Sequence, residues 1–228
     1  VSALRLAKKD VLVQNMKCIE ALARVDVLCV DKTGTITGPD MKVEGFVKMD
    51  ESISDDVLET LVGDIVRYQS KDNSTMAALQ EHFTKLSGRE ATSVCGFSSK
   101  YKYSATCFVE GNFVIGAPEF VLRSDFARYE DYISNISNKG YRVLAIAQTS
   151  EVPNGGRLEA PARLLGLVFL DNPVRESAKE TFEYFAANGV EIKVISGDNP
   201  ETVSHVAMEA GIIGGDHYVD ARDLTDEQ

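Results

Sequence analysis

Val25-Asp26-Val27-Leu28-Cys29-Val30 runs directly into Asp31-Lys32-Thr33-Gly34-Thr35-Ile36-Thr37-Gly38. Five of the first six residues are apolar or β-branched, and the run stops at a carboxylate followed by hydroxyl residues and glycine. The pattern predicts a buried strand of a parallel sheet that delivers Asp31 to the sheet's carboxyl edge. In open α/β sheets ligands bind at that edge, so Asp31 stands where chemistry is done. A carboxylate there can attack a phosphoryl group and carry it as an aspartyl phosphate. The glycine and hydroxyl residues after it leave backbone N–H groups to meet phosphate oxygens. The competing reading is an ordinary strand exit capped by Asp31.

The same βα pattern returns near the end of the chain. Ser177 to Ala187 reads as an amphipathic helix stopped by Asn188-Gly189, and Val190 to Ile195 as a second buried strand ending in Ser196-Gly197-Asp198. Asn199 and Pro200 then occupy the preferred cap and first-turn positions of a helix that Gly211 closes. Before the first strand, Ile19 and Leu22 have the spacing of a short helix.

The block between these two pieces has a different rhythm. Gly38-Pro39-Asp40 marks a turn, Val43 to Met49 alternates as a half-buried strand, and Ser54-Asp55-Asp56 caps a helix carrying Val57, Leu58, Leu61, Val62, Ile65 and Val66. A second helix is expected from about Thr75 to Leu86. Strands follow at Thr92 to Phe97, Tyr101 to Val109 and Phe113 to Ile115. Helices are expected at Pro118 to Arg123 and Phe126 to Asn138, with Gly140 ending the second. Strands at Arg142 to Thr149 and Arg163 to Leu170 complete an antiparallel sheet, joined by a mobile surface turn at Val152-Pro153-Asn154-Gly155-Gly156.

Asp31-Lys32-Thr33-Gly34-Thr35-Ile36-Thr37 resembles the phosphorylation motif of P-type cation-transporting ATPases, pumps built on a haloacid-dehalogenase-like domain. The resemblance implies an α/β fold: a Rossmann-like P domain, incomplete here, interrupted by an α+β nucleotide-binding N domain whose antiparallel sheet is flanked by helices. The domains are then 1–38, first part of the P domain; 39–170, the N domain; and 171–228, the truncated second part of the P domain. Residues 1–23 resemble the stalk that enters the catalytic domain from a transmembrane helix, and read equally as a packing helix. The overall pattern is most like bacterial calcium or magnesium pumps.

The resemblance also implies roles. Asp31 is the phosphorylated nucleophile, with Lys32 and Thr33 in its motif, and the Asp31 carboxylate and Thr33 carbonyl ligate Mg²⁺. Ser196, Gly197 and Asp198 match the Thr-Gly-Asp motif with Ser for Thr; alone they are also plain turn chemistry. Arg175, in Asn172-Pro173-Val174-Arg175, matches an arginine that reaches the nucleotide, although Asn172 stands where the motif has Asp and Asp171 precedes it. Phe97 and Lys102, in Phe97-Ser98-Ser99-Lys100-Tyr101-Lys102, match an adenine-stacking aromatic and a pocket lysine. Phe97 reads equally as a core aromatic. Ile115-Gly116-Ala117-Pro118-Glu119 matches the Lys-Gly-Ala-Pro-Glu motif with Ile115 for Lys, and Gly116 lets the backbone approach the base. Arg142 matches the arginine that reaches the nucleotide phosphates, or is a surface strand charge. The acidic contact expected on the first N-domain helix falls on Met76.

Thr33 carries a further consequence. Phosphatases of this fold usually place a second Asp two residues after the nucleophile as general acid and base, and threonine cannot take a proton from attacking water. A phosphoenzyme at Asp31 is therefore expected to persist, as a pump requires.

The 228 residues carry 24 Lys and Arg against 35 Asp and Glu, a net charge of -11, with no basic run. Nucleic-acid binding needs clustered cations, so that class is excluded. Cys18, Cys29, Cys95 and Cys107 have no metal-ligand spacing and read as reduced core thiols. His82 and His205 read as residues of solvated helix faces, and His217 stands alone. No stretch has the apolar length of a membrane span and no signal peptide is evident, so the chain is expected to be a soluble cytoplasmic piece of a multi-pass membrane protein.

The Gly-Asp-Gly-x-Asn-Asp loop that supplies the remaining Mg²⁺ carboxylate has no match in Gly214 to Gln228. The expectation is a fragment that binds ATP with Mg²⁺ weakly and does not turn it over, whose partners are the actuator domain and membrane helices that bind the transported cation. Two other readings stay open, a soluble phosphatase of the same superfamily and a non-catalytic nucleotide-binding module.

Overall fold

The computed structural model describes residues 6–8, 10–13, 15, 17–197 and 200–220, and the side chains of these except Cys18 and Leu22. The helices are α1 Lys17–Leu22, α2 Asp55–Val66, α3 Ser74–His82, α4 Pro118–Leu122, α5 Glu130–Ser137, α6 Ala178–Ala187 and α7 Pro200–Glu209. The strands are β1 Val27–Asp31, β2 Lys42–Lys48, β3 Ser93–Ser98, β4 Tyr103–Phe108, β5 Gly111–Gly116, β6 Arg142–Thr149, β7 Arg163–Asp171 and β8 Glu191–Ile195. They form two compact units. One takes in the residues up to Ile36, Val174–Gly197 and those from Val203 on; the other is Thr37–Pro173 with residues 200–202.

In the first unit β1 and β8 pair in parallel, Val27 opposite Glu191 through Asp31 opposite Ile195. Helices α6 and α7 cover one face, where Val30, Ile192 and Val194 pack against Ile36, Phe182, Val206 and Ala207. The alternate residues of both strands are exposed, with Val27 at 45% and Ile195 at 64%. This corrects the expectation of two buried strands. A parallel strand is buried on both faces only when helices lie on both, and among the described residues this pair has them on one. Cys29 is on the open face, so it is not a core thiol.

The second unit is a six-stranded antiparallel sheet in the order β2-β7-β6-β5-β4-β3. Strand alternation splits its side chains between two cores. Phe113 and Ile115 of β5 and Ile146 of β6 meet Leu58, Val62 and Ile65 of α2 and Leu79 of α3. Val114, Ala145 and Leu167 point the other way, against Val121 and Leu122 of α4, Ile133 of α5 and Leu158. Both faces are covered, so β4 is buried along its whole length. Ser54 and Asn73 cap α2 and α3, their side chains accepting from Val57 N and Met76 N.

Several boundaries differ from expectation. The second helix stops at His82, and residues 83–89 form a strap across α2: buried Asp64 accepts from Ser87 N at 3.0 Å and Ser87 Oγ at 2.5 Å. The helix expected from Phe126 is a 3₁₀ segment, Arg123–Arg128, followed by α5. The 152–156 turn and the residues just after it make hydrogen bonds to the sheet and to Arg123. Tyr103 donates its hydroxyl proton to the Gly156 carbonyl at 2.7 Å, Gly156 N donates to Asn154 Oδ1 at 2.9 Å, and Arg123 donates to the Leu158 and Glu159 carbonyls. Asn199, expected to cap α7, lies outside the described residues. His82 and His205 are exposed, as expected of solvated helix faces.

Gly63 of α2 tests the strap. A Cβ there would overlap the Lys85 backbone carbonyl oxygen, which no side-chain rotation relieves. Gly63→Ala is expected to destabilise the second unit by about 1–3 kcal/mol, exceeding the gain of about 1 kcal/mol that alanine brings to a helix. Urea unfolding followed by Tyr fluorescence measures it. Thiol labelling at pH 8 gives a second check. Cys29 is exposed, whereas burial pushes the Cys95 and Cys107 thiols up and leaves less thiolate. Mass spectrometry is expected to find Cys29 modified before Cys95 and Cys107.

Candidate functional site

The loop after β1 is a type II turn. Thr33 has φ -77°, ψ 125° and Gly34 has φ 74°, ψ -6°, the second and third positions of that turn, where positive φ calls for glycine. A side chain at Gly34 would meet nothing within 4 Å. Backbone conformation alone therefore sets this requirement. The turn exposes Asp31, Thr33, Gly34 and Thr35, while Lys32 is 8% exposed and Ile36 fully buried among α6 and α7. Ile36 thus anchors the far side of the turn in the core, and Asp31 anchors the near side by its pairing with Ile195.

That pairing brings the two strand ends together. In a parallel pair both carboxyl ends lie at one edge, so Ser196 and Gly197 follow Ile195 beside Asp31. Asp198 lies outside the described residues. Arg175 reaches the same loop: its Nη2 donates to the Gly34 carbonyl at 2.6 Å and its N–H to the Ile36 carbonyl at 3.0 Å. The sequence assigned Arg175 to a nucleotide; here its guanidinium braces the turn behind Asp31. Asp31 and Thr33 offer carboxylate and carbonyl oxygens, a donor set that suits Mg²⁺ shared with a phosphate. Among the described residues no three His, Cys, Asp or Glu gather into a metal cluster.

The other four residues assigned to nucleotide binding, Phe97, Lys102, Gly116 and Arg142, lie in the second unit, all at one end of its sheet. Ser98 pairs with Tyr103, Tyr103 with Gly116 and Gly116 with Ala145. Phe97, Lys102, Gly116 and Arg142 therefore close β3, precede β4, close β5 and open β6 at a common end. The chain enters and leaves this unit at that end as well, since Lys42 pairs with Asp171. The crossing strands are tied by Gly38 N to the Pro173 carbonyl at 2.9 Å and by Asn172 Nδ2 to the Asp40 carbonyl at 3.1 Å.

Phe97 is 54% exposed, so it is not a core aromatic. Lys102 is exposed on a backbone of φ 54°. Gly116 is buried, and a Cβ on it would overlap the Lys102 carbonyl oxygen and the Tyr103 backbone. Its missing side chain lets β4 and β5 close up, with Ala117 N donating to the Lys102 carbonyl at 2.9 Å. Ile115 is 3% exposed in the core against α2 and α3, so it replaces the motif's cation with packing. Arg142 Nη1 donates to Thr75 Oγ1 at 3.0 Å and lies 3.4 Å from Met41 Sδ. Neither neighbour was singled out in the sequence, because only the fold places them beside β6. A cleft of about 610 Å³ elsewhere in the unit, lined by Tyr101, Tyr103, Phe120, Arg123 and Arg157 among others, contains none of these four.

A strand that ends in an aspartate, a second strand end beside it and a large unit inserted between them recur in other proteins. The family described as haloacid dehalogenase-like hydrolase matches residues 25–225, and the chain belongs to it. Over 230 residues it is 34% identical to "Probable cation-transporting ATPase exp7" of Streptococcus pneumoniae serotype 4, covering 100% of this chain and 29% of that protein. It is 37% identical over 231 residues to "Calcium-transporting ATPase CtpE" of Mycolicibacterium smegmatis, covering 100% of this chain and 28% of that one. The chain thus spans less than a third of the length of these curated relatives. In fold it is similar to a zinc-transporting PIB-type ATPase in its E2.Pi state, at TM-score 0.59 and 19% identity over 88% of this chain and 30% of that one. It is also similar to the catalytic CPx-ATPase domain CopB-B, at TM-score 0.58 and 16% identity over 92% and 67%. No helix among the described residues is long and apolar enough to cross a membrane.

Arg175→Ala removes the side-chain bond to the Gly34 carbonyl and leaves the backbone bond to Ile36. Amide exchange is expected to speed up at residues 34–36, while overall stability falls by about 1 kcal/mol or less. Unchanged protection there would show that the turn holds without its brace.

Proposed function

We propose that this chain is a cytoplasmic part of an ATP-driven cation pump of the cell membrane, comprising a nucleotide-binding domain, 39–170, inserted into a phosphorylation domain, 1–38 and 171–228. The observation that carries this reading is the parallel register that sets Asp31 beside Ser196 and Gly197 at one sheet edge. An Asp31 carboxylate oxygen attacks the γ-phosphorus of ATP and forms the acyl-phosphate bond. The bond from that phosphorus to the β–γ bridging oxygen breaks, and its electron pair leaves with ADP.

The chain's own groups serve this step through position and charge. The Ser196 hydroxyl and the N–H of Gly197 serve the transferred phosphoryl oxygens, Lys32 and Asp198 belong to the same two motifs, and Arg175 keeps the turn in place. Asp31 and the Thr33 carbonyl would hold Mg²⁺, which would neutralise phosphate charge. Phe97 supplies a flat, exposed ring for adenine, and Lys102 and Arg142 supply cations for the phosphates. Thr33 offers no carboxyl group to activate water, so the phosphoenzyme outlives the transfer until the actuator domain removes the phosphate. The transported cation binds in membrane helices outside this chain. Calcium is the first ion to test, because a relative 37% identical carries it in its name.

In the full-length protein, Asp31→Asn is expected to abolish acid-stable, hydroxylamine-labile labelling from γ-labelled ATP. Labelling that survives would move the nucleophile elsewhere. The 228-residue chain alone is expected to shift the Phe97 ring resonances on titration with millimolar Mg-ATP and to leave p-nitrophenyl phosphate intact. Steady hydrolysis of that ester would favour the phosphatase reading, and silent Phe97 resonances would remove the adenine site.

A further inference from the structure

We infer that Thr75 is a positioning residue for Arg142: its hydroxyl, polarised by the sulfur of Met41, fixes one end of the guanidinium so that the other donors face an anionic phosphate. This rests on the nucleotide role proposed for Arg142. The three groups form a closed triangle. Arg142 Nη1 is 3.0 Å from Thr75 Oγ1 and 3.4 Å from Met41 Sδ, and Thr75 Oγ1 is 3.1 Å from the same sulfur.

The direction of each bond follows from what the atoms can do. A thioether sulfur only accepts and a guanidinium only donates, so the Thr75 hydroxyl must give its single proton to Met41 and turn its lone pairs to Arg142. Each corner is set by a different part of the fold. Met41 is 9% exposed in the core shared with Met76 and Leu79. Thr75 is in the first turn of α3, fixed by the Asn73 cap, whose Oδ1 accepts from Met76 N at 2.9 Å. Arg142 opens β6, opposite Leu170.

The two hydrogens of Nη1 are directed at Thr75 and Met41. Nε and Nη2 keep three donors, which meet no partner among the described residues, and no carboxylate there pairs with Arg142. A charged fork with its free edge exposed and its base clamped suits an anion with two oxygens, such as a phosphate. An unclamped arginine on the surface samples many rotamers, and ordering such a side chain on binding costs about 0.5–1.5 kcal/mol. The clamp removes that cost before ligand arrives, equivalent to about a 2- to 13-fold gain in affinity.

The test compares wild type, Thr75→Val, Thr75→Ser and Arg142→Ala in the 228-residue chain. Calorimetric titrations with Mg-ATP and with adenosine are combined with thermal melts and NMR relaxation of the Arg142 Nε–H. Thr75→Val keeps the branched shape and removes the acceptor; it is expected to weaken ATP about 2- to 13-fold, leave adenosine within about twofold, and loosen the Nε–H. Serine keeps the hydroxyl and should restore both readouts. ATP binding by Thr75→Val at wild-type strength with a rigid Nε–H overturns the clamp, as does an equal loss of ATP and adenosine with a lowered melt, which marks a merely structural role. Arg142→Ala binding ATP like wild type instead removes the nucleotide role of Arg142, while the Nε–H relaxation still reports on Thr75.

Discussion

The edge that brings Asp31 beside Ser196 and Gly197 depends on five residues of parallel pairing between β1 and β8. Parallel partners are necessarily distant in sequence, because the chain must cross back before it can run alongside itself. Here the connection holds an entire folded unit. Its entry and exit strands are neighbours, Lys42 opposite Asp171, so once it has folded it acts as a short bridge. Each doubling of a loop costs about 0.6 kcal/mol, and taking 42–171 out of the loop between Asp31 and Ile195 shortens it by roughly two doublings. The inserted unit thereby spares on the order of 1 kcal/mol of closure entropy.

With that pairing in place, the loop behind Asp31 is held from three directions. The strand register fixes its start, Ile36 sinks into the helical core at its end, and Arg175 grips the Gly34 carbonyl between them. The type II geometry then turns the exposed residues Thr33, Gly34 and Thr35 toward solvent beside Asp31. No single contact here is large, since a net hydrogen bond contributes about 1 kcal/mol. The arrangement gains precision from having its ends anchored in separate elements.

The second unit solves a different problem. Its sheet is covered on both faces, and strand alternation sends Ile115 to one core and Val114 to the other. At one sheet end lie Phe97 of β3, Lys102 of the β3–β4 turn and Arg142 of β6. Motif matching and physical role part company at this end. Gly116 sits in a family-like motif, yet the space beside it is filled by β4. Ile115 sits where a cation is expected, yet it completes the core.

The sequence by itself determined the order of elements, the identity of Asp31 as the residue at a strand's carboxyl end and the split of one α/β unit by an inserted α+β unit. These are local properties: period, caps, turn chemistry and a short run of consecutive residues. Burial of β1 and β8, the fate of Cys29, the end of α3 at His82 and the strap over Asp64 were not legible, because each depends on what lies across the fold. The partners of Arg142 were hidden for the same reason. Met41, Thr75 and Arg142 meet only when a strand, a capped helix and a second strand pack together, and no spacing along the chain records that meeting. Only the tertiary structure decided it, through the packing that converts three separate stretches into one contact.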